Sequence, residues 1–292
     1  MATNSSPAMG TLERRRGFSV HYNMSYLVQD AGYGPDGAVV LLHDIPAGAF
    51  AWKDIMRQLA GLQRAVYAFD MLGYGESDHP WPADTSIWGQ ADVLSYLLND
   101  LKLTNIVLVG HGLGGGVAQV LASRLFRKHT GALVLLDTVC YQQAFAPNWP
   151  LPEMEKRRDP EAPKETRLED LINDLRKTLP TAVENVDAFN AVIDDYIAPW
   201  SSELGKEVLF QHIRSLIPDY MNAVASDIAV TGQPTLIIWG EKDEHIPLKH
   251  AERLHREILG SQLVVVPNAN HLVLFDAPDA VAEVMVDFIR GL

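Results

Sequence analysis

The chain is short of cysteine, of positive charge and of long apolar runs. Of its 292 residues only Cys140 is a cysteine, so no disulfide can form within the chain, which fits a reducing compartment. Lysine and arginine total 24 against 37 aspartates and glutamates, a formal net charge of -13. Such a surface repels phosphate backbones and anionic lipids, so we expect neither a nucleic-acid nor a membrane partner.

Signals for targeting, metal binding and cofactor binding are missing as well. No apolar run reaches the roughly 18 residues that span a bilayer, and residues 1–16 hold no apolar stretch of the secretory kind. We therefore expect a cytoplasmic protein with a flexible N-terminal tail at 1–16, whose arginines at 14–16 are solvated. No histidine or cysteine cluster has metal-ligand spacing, and no glycine-rich loop matches a nucleotide fingerprint, so we expect no metal and no cofactor.

What the chain does have is a regular alternation of apolar runs and helical patterns. The runs lie at 39–43, 65–69, 106–109, 132–136 and 235–239. Continuous apolar runs of this length are typical of strands buried on both faces of a parallel sheet. Their alternation with helices predicts an α/β fold with a mostly parallel central sheet flanked by helices.

The alternation stops between residues 141 and 231. This segment holds many charges and helical spacing instead of apolar strand patterns. We predict a core made of residues 17–140 and 232–292, with residues 141–231 inserted as a helical cap.

Polar residues follow the ends of several predicted strands, where sites form in open α/β sheets. Asp243 lies in a turn after one late strand, and His271 follows the last strand. An acid and a histidine so placed suit a general base whose tautomer the acid fixes. Asp70 and Asp137 also end strands, where we expect them to anchor loops.

The segment from 106 to 122 reads IVLVGHGLGGGVAQVLA, a strand that turns sharply into a helix. Such a corner usually presents a nucleophilic side chain at its apex. The apex residue here is Gly112, which has no side chain. Glycine adopts the strained backbone of such a corner more easily than any other residue.

Taken together, these segments resemble the α/β-hydrolase-fold superfamily, in its capped branch of epoxide hydrolases, haloalkane dehalogenases and C–C-bond hydrolases. The resemblance runs from about residue 18 onward. It is carried by VVLLHD, FDMLGYGESD, LVGHGLGG, WGEKDEHIP and PNANHLVLFDAP. It implies an α/β-hydrolase fold with an inserted helical cap, and a hydrolase that needs no cofactor.

The resemblance also implies roles for single residues. Asp243 matches the family's acid and His271 its base, while the backbone N–H groups of Leu113 and Ile45 match its oxyanion donors. Asp137 is a reserve acid, because some relatives place theirs near that strand end. Our candidates for contact with the substrate are Asp44, His111, Trp200 and Tyr196, with Trp149, Cys140 and Tyr141 as further possibilities.

Two residues depart from the family pattern. The family's elbow has Ser, Asp or Cys where this chain has Gly112. Asp44 stands where the oxyanion loop usually has glycine, and a carboxylate there would oppose negative charge. For Asp44 we give equal weight to a role in the pocket and to a role in stabilising the turn. For His111 we favour a structural role, and we regard Cys140 as a poor substitute nucleophile.

Gly112 leaves several functions open. We favour hydrolysis of a small, largely apolar substrate (ester, lactone, epoxide or related) through His271 and Asp243, without a side-chain nucleophile. Gly112 would otherwise be an engineered replacement of Ser or Asp. The alternatives are a cofactor-free lyase or dioxygenase-like enzyme that abstracts a proton, and a non-catalytic ligand-binding protein. A small molecule is the expected partner, and a homodimer stays open.

Overall fold

A single eight-stranded sheet forms the centre of the computed structural model, which describes residues 11–30, 32–142, 149–216 and 219–292. Its strands are ordered β1-β2-β4-β3-β5-β6-β7-β8. In chain order they are β1 (Glu13–Ser19), β2 (Tyr22–Gln29), β3 (Val39–Leu42), β4 (Val66–Phe69), β5 (Ile106–His111), β6 (Thr130–Leu136), β7 (Thr235–Gly240) and β8 (Gln262–Val266).

Strands β3 to β8 are parallel to their neighbours, and the β1–β2 hairpin joins the edge antiparallel to β4. Every residue of β3, β4, β5 and β7 is buried, as expected for strands covered by helices on both faces. The predicted α/β class with a mostly parallel sheet is confirmed.

Helices cover the two faces of the sheet. Before β7 they are α1 (Lys53–Leu59), α2 (Ile87–Asp100), α3 (Leu113–Val120), α4 (Met154–Arg157), α5 (Ala162–Glu165), α6 (Leu168–Thr178), α7 (Val186–Asn190), α8 (Ile193–Ile197), α9 (Glu203–Ser215) and α10 (Met221–Ala229). After it come α11 (Lys249–Glu257), α12 (Val273–Asp276) and α13 (Pro278–Arg290). Within the described ranges, no helix has the length and apolar character to cross a membrane.

Helix α2 begins where its sequence indicates. The hydroxyl of Ser86 accepts a hydrogen bond from the backbone N–H of Gly89, which satisfies one of the free donors of the first turn. The helix packs against α3, and α1 packs against α13 on the opposite face. This packing of helices on both faces fixes the positions of the strands' carboxyl ends relative to one another.

Between β6 and β7 the described residues form helices α4 to α10, without a strand. Of the predicted cap, residues 143–148 and 217–218 lie outside the described ranges. Helix α10 buries Met221, Val224 and Ile228 and packs on α3 and α11, which flank the sheet. The chain therefore rejoins the core near residue 221, earlier than the predicted boundary at 232. A separately bounded cap stays a prediction.

The N-terminal prediction needs a correction, although residues 1–10 lie outside the described ranges. Residues 13–16 belong to β1, which pairs with β2 along its whole length. The Arg14 guanidinium lies 2.5 Å from the buried carboxylate of Asp70 and also donates to Ser25. The prediction of a flexible tail was wrong for these residues because a distant loop supplies their partner.

The corner after β5 is built as its glycines indicate. Gly112 has φ 52° and ψ -116° and caps helix α3, a backbone conformation that residues with side chains rarely adopt. At Gly114 a Cβ would lie 2.4 Å from the carbonyl oxygen of Leu42, so helix α3 begins against the end of β3. The residues that follow β3 and β5 are thereby brought into contact.

Arg14→Ala should lower the free energy of unfolding by about 1–3 kcal/mol, because it removes a charged partner from a buried carboxylate. Arg16→Ala is the matched control in the same strand. Its side chain is 62% exposed, so its loss should cost less than about 0.5 kcal/mol. Urea unfolding followed by circular dichroism measures both, and equal effects would contradict a structural role for Arg14.

Candidate active site

Asp44 lies at the centre of the candidate site, two residues after β3 ends. The preceding His43 holds this loop. Its Nδ1 lies 2.8 Å from the carbonyl oxygen of Asp44, and its Nε2 accepts a hydrogen bond from the backbone N–H of Met71. Burial lowers the pKa of His43, so the ring is the neutral tautomer with its proton on Nδ1.

Three donors surround the Asp44 carboxylate. Its Oδ1 accepts a 2.6 Å hydrogen bond from the backbone N–H of Leu113, the first residue of α3. Its Oδ2 lies 3.0 Å from Nε2 of His271 and accepts a 3.3 Å bond from the indole N–H of Trp149. The Leu113 N–H, which we predicted as an oxyanion donor, therefore already donates a hydrogen bond to a side-chain carboxylate of the same chain.

The same carboxylate fills the space beside Gly112. A Cβ at position 112 would lie 2.1 Å from Cγ of Asp44 and 2.2 Å from its Oδ1. No pair of unbonded heavy atoms tolerates that distance. The Asp44 carboxyl group therefore stands where a side chain on the elbow residue would begin, and the two positions exclude each other's side chains.

His271 connects this carboxylate to Asp243. Its Nδ1 lies 2.9 Å from Oδ2 of Asp243, and the ring is fully buried. The other oxygen of Asp243 accepts the backbone N–H groups of His245 and Ile246 at 2.8 Å each, which fixes the carboxylate in its turn. The contact that the predicted His–Asp dyad requires is present; its catalytic role stays a prediction.

The protonation of His271 follows from its neighbours. Both ring nitrogens face carboxylate oxygens, and only an imidazolium donates from both. Burial alone lowers its pKa, but the charges and hydrogen bonds of Asp243 and Asp44 outweigh burial and raise the pKa well above the ordinary value. Burial likewise opposes ionisation of Asp44, yet His271 and the Leu113 N–H hold its pKa below the usual range. The resting site thus favours an Asp44 carboxylate beside a His271 imidazolium, which Asp243 holds on its other side.

A second carboxyl group lies behind Asp243. Asp137 is fully buried at the end of β6, and its Oδ1 accepts the backbone N–H of Gly240. Burial and the negative charge of Asp243 raise its pKa well above the ordinary value. A neutral Asp137 adds no second charge beside Asp243. Asp243 makes the hydrogen bond to His271, while Asp137 links the end of β6 to the last residue of β7.

Two further histidines flank His271 and stay neutral. His111 donates from Nε2 to the carbonyl oxygen of His271 at 2.8 Å, and His245 meets the His271 ring edge to face at 5.6 Å. Burial lowers the pKa of each to about 4. The contact of His111 with the backbone of His271 is consistent with the structural role that we favoured from sequence, which stays a prediction.

A small enclosed cavity opens beside Asp44 and His271. Its volume is about 20 Å³, which leaves room for one or two water molecules. Apart from Asp44 and His271, its lining is apolar: Ile45, Leu113, Val139, Trp149, Leu216 and Ile246. A substrate larger than one or two water molecules therefore requires this lining to move.

Three predicted substrate contacts, His111, Trp200 and Tyr196, do not line this cavity. The Trp200 indole donates to the carbonyl oxygen of Pro46, and its ring meets Tyr74 edge to face. Tyr196 packs against Phe50 and lines a separate surface groove of about 240 Å³. Both aromatic rings are engaged in packing, which sequence spacing does not distinguish from pocket lining.

Other lining residues were missed or only partly identified from sequence. Val139 follows β6, and Ile246 follows β7 by a few residues, so the rule that sites form at strand ends could have found both. Leu216 carries no sequence signal, because the path of α9 decides its position. Cys140 is buried and burial raises its pKa, so the thiol stays protonated and unreactive.

The side chains of this cluster are suited to nucleophilic attack and proton transfer. In the described ranges, no group of three or more His, Cys, Asp or Glu side chains is placed to hold a metal ion. The carboxylate of Asp44 can attack or accept a proton, and His271 can donate one and later accept one.

Comparisons with known proteins agree with this architecture. A curated relative of Mycobacterium tuberculosis, an uncharacterized protein, is 28% identical over 273 residues, which cover 89% of this chain and 76% of the relative. An alpha/beta hydrolase fold protein from Burkholderia ambifaria superposes with a TM-score of 0.82 at 26% identity, covering 94% of this chain and 97% of its own.

A more distant structure shares the fold. The haloalkane dehalogenase DatA from Agrobacterium tumefaciens superposes with a TM-score of 0.80 at 16% identity and covers 96% of each chain. The sequence profile of the alpha/beta hydrolase fold matches residues 37–278, from just before β3 to the start of α13. The chain therefore belongs to the alpha/beta hydrolase fold family.

Proposed function

We propose that this protein is a hydrolase of a small, uncharged and largely apolar substrate, in which His271 transfers the protons and Asp243 orients it. The observation that carries the proposal is the His271–Asp243 contact of 2.9 Å at the wall of an enclosed cavity. A buried acid that fixes one imidazole nitrogen leaves the other to face the reacting groups.

The lining of the cavity supports this choice of substrate. The polar groups of the cavity lining are the side chains of Asp44 and His271 and the indole N–H of Trp149. The other lining side chains are aliphatic. An anionic substrate would meet the Asp44 carboxylate directly, while Asp243, behind the His271 ring and outside the cavity lining, offsets the positive charge of the imidazolium. A neutral molecule meets apolar walls and a few convergent polar groups, the usual composition of a small-molecule site.

The contact between positions 44 and 112 argues against an engineered origin of Gly112. A Ser or Asp at 112 would place its Cβ 2.1 Å from Cγ of Asp44. Such a residue fits only if Asp44 lies elsewhere. We therefore propose that glycine is the working residue at the elbow.

A non-catalytic binder is less well supported. Burying two carboxylates and an imidazolium costs several kcal/mol per ion in desolvation before their attraction offsets it. Binding a neutral apolar ligand requires none of these charges. Charges that shift the pKa of a cavity-lining histidine are typical of proton transfer instead.

His271→Ala should lower turnover by roughly 10²–10⁴-fold, because it removes the proton-transferring group. The substrates are p-nitrophenyl acetate, γ-butyrolactone and 1,2-epoxybutane, and the rate of product formation is measured for each. His21→Ala, at an exposed turn between β1 and β2, is the matched control and should retain full activity. Full activity in His271→Ala would refute the proposed role. A tight ligand without turnover would favour the binder.

The protonation of His271 also predicts a dependence of stability on pH. Its pKa in the folded protein lies well above the ordinary value, so the folded state holds a proton that the unfolded chain releases above about pH 6.5. The stabilisation is complete below pH 6.5 and is lost as the pH rises through the folded-state pKa. The slope cannot exceed about 1.4 kcal/mol per pH unit for one proton.

The measurement compares the protein with His271→Gln by urea unfolding at several pH values from 6 to 9. Their difference in unfolding free energy should fall across this range, since only the native histidine gains the proton on folding. The variant removes the titrating group and keeps a polar side chain of similar length. A constant difference would mean that His271 is not an imidazolium in the folded protein.

A further inference from the structure

The proposed hydrolase lacks an assigned nucleophile, and Asp44 has the position of one. Its carboxylate fills the volume beside Gly112, with Cγ 2.1 Å from where a Cβ would stand. It is fixed by the first backbone N–H of α3, at the corner that ordinarily presents a nucleophile. It also lies 3.0 Å from the imidazole and lines the cavity.

Building on the proposed function, we propose that Asp44, from the loop after β3, replaces the missing elbow side chain as a covalent nucleophile, and that the substrate is an epoxide. The nucleophilic carboxylate would lie where the elbow side chain normally lies. It belongs to a residue in the loop after β3 instead of to the elbow residue. Gly112 is then required, because any side chain there would displace the Asp44 carboxylate.

The first step uses both charges of the resting site. Oδ2 of Asp44 attacks a ring carbon, a new C–O bond forms, and the ring C–O bond breaks. The departing oxygen takes the proton from Nε2 of His271 and accepts a hydrogen bond from the Trp149 indole N–H, which lies 3.3 Å from the same Oδ2. The products are a hydroxyalkyl ester of Asp44 and a neutral His271.

The second step regenerates the enzyme with one water molecule. Neutral His271 accepts a proton from the water as the water oxygen attacks Cγ of Asp44. The carbonyl oxygen, Oδ1, becomes the oxyanion and keeps its hydrogen bond from Leu113. The bond from Cγ to the alkyl oxygen then breaks, and this oxygen takes the proton of the hydroxyl group newly bound to Cγ, so that the diol leaves neutral. Asp44 ends as a carboxylate and His271 as an imidazolium.

The site favours an epoxide over an ester or a lactone. Direct attack of water on a carbonyl substrate needs oxyanion donors, and one of the two predicted donors, the Leu113 N–H, already binds Asp44. Opening an epoxide instead places the oxyanion on the Asp44 ester itself, where that donor lies. The imidazolium also suits an epoxide, because ring opening requires a proton and leaves the histidine neutral, as the second step requires.

The decisive experiment is a single turnover of the native enzyme, in excess over 1,2-epoxybutane, in ¹⁸O-labelled water. Proteolysis and mass spectrometry then locate the label. We expect one ¹⁸O in the peptide that contains Asp44, and a first-turnover diol with no ¹⁸O. Label in the diol with Asp44 unlabelled would overturn the nucleophile while leaving the proposed hydrolase intact.

The remaining outcomes also decide the inference. Turnover of p-nitrophenyl acetate or γ-butyrolactone without turnover of the epoxide would overturn the substrate class alone. Failure to hydrolyse any of the three substrates would count against the proposed function and this inference together.

Trapping the ester gives an independent test. Over a prolonged incubation with excess epoxide, His271→Gln should accumulate the hydroxybutyl ester on Asp44, seen as a mass increase of its peptide. The ester should form slowly, because water must replace the imidazolium as the acid of the first step, and it should persist, because the second step lacks its base. His271→Gln combined with Asp44→Asn should show no increase. His271→Gln combined with Asp92→Asn, a change at an exposed position of α2, should keep it. An adduct on another residue, or none at Asp44 despite intact fold and native turnover, would overturn the assignment.

Discussion

The close approach of the Asp44 carboxyl group to Gly112 is the constraint on which the rest of the site depends. Helix α3 begins directly against the end of β3, so residues from the two corners share one small volume. Only one of the positions can contribute a side chain to it. With glycine at 112, the carboxylate of Asp44 enters that volume and binds the N–H of Leu113. The missing nucleophile and the unexpected acid are therefore one structural feature.

Charge then determines what this arrangement can do. Two carboxylates on opposite sides of His271 stabilise its protonated form in a buried environment. Neutral His111, His245 and Asp137 surround the group without adding further charge. In the proposed reaction, this site supplies the Asp44 carboxylate as the nucleophile and the His271 imidazolium as the acid. His271 can act as a base only after the first step has removed its proton.

Much of the fold followed from the sequence because its signals are local. Continuous apolar runs marked the buried parallel strands, and the position of Asp243 and His271 after two of them predicted their contact. The strand at 13–16 was missed because its support, the Arg14–Asp70 pair, joins residues far apart in sequence. Asp44 was identified as unusual, but its role depends on where its side chain points, which the sequence does not contain.

Aromatic residues illustrate the same limit. From sequence we preferred Trp200 and Tyr196 as substrate contacts over Trp149, yet of these three only Trp149 reaches the cavity. Which ring faces a pocket and which packs behind it depends on how the helices between β6 and β7 lie over the sheet. That arrangement is set by long-range packing, not by the spacing within any one helix.

Exchanging the two residues tests the central claim most directly. Turnover of 1,2-epoxybutane is measured for Asp44→Gly, Gly112→Asp and the double variant. The account predicts that each single change abolishes turnover, the first by removing the carboxylate and the second by crowding it. The double variant should recover turnover, because one carboxylate again occupies the volume above α3. Asp44→Gly with undiminished turnover would contradict the account.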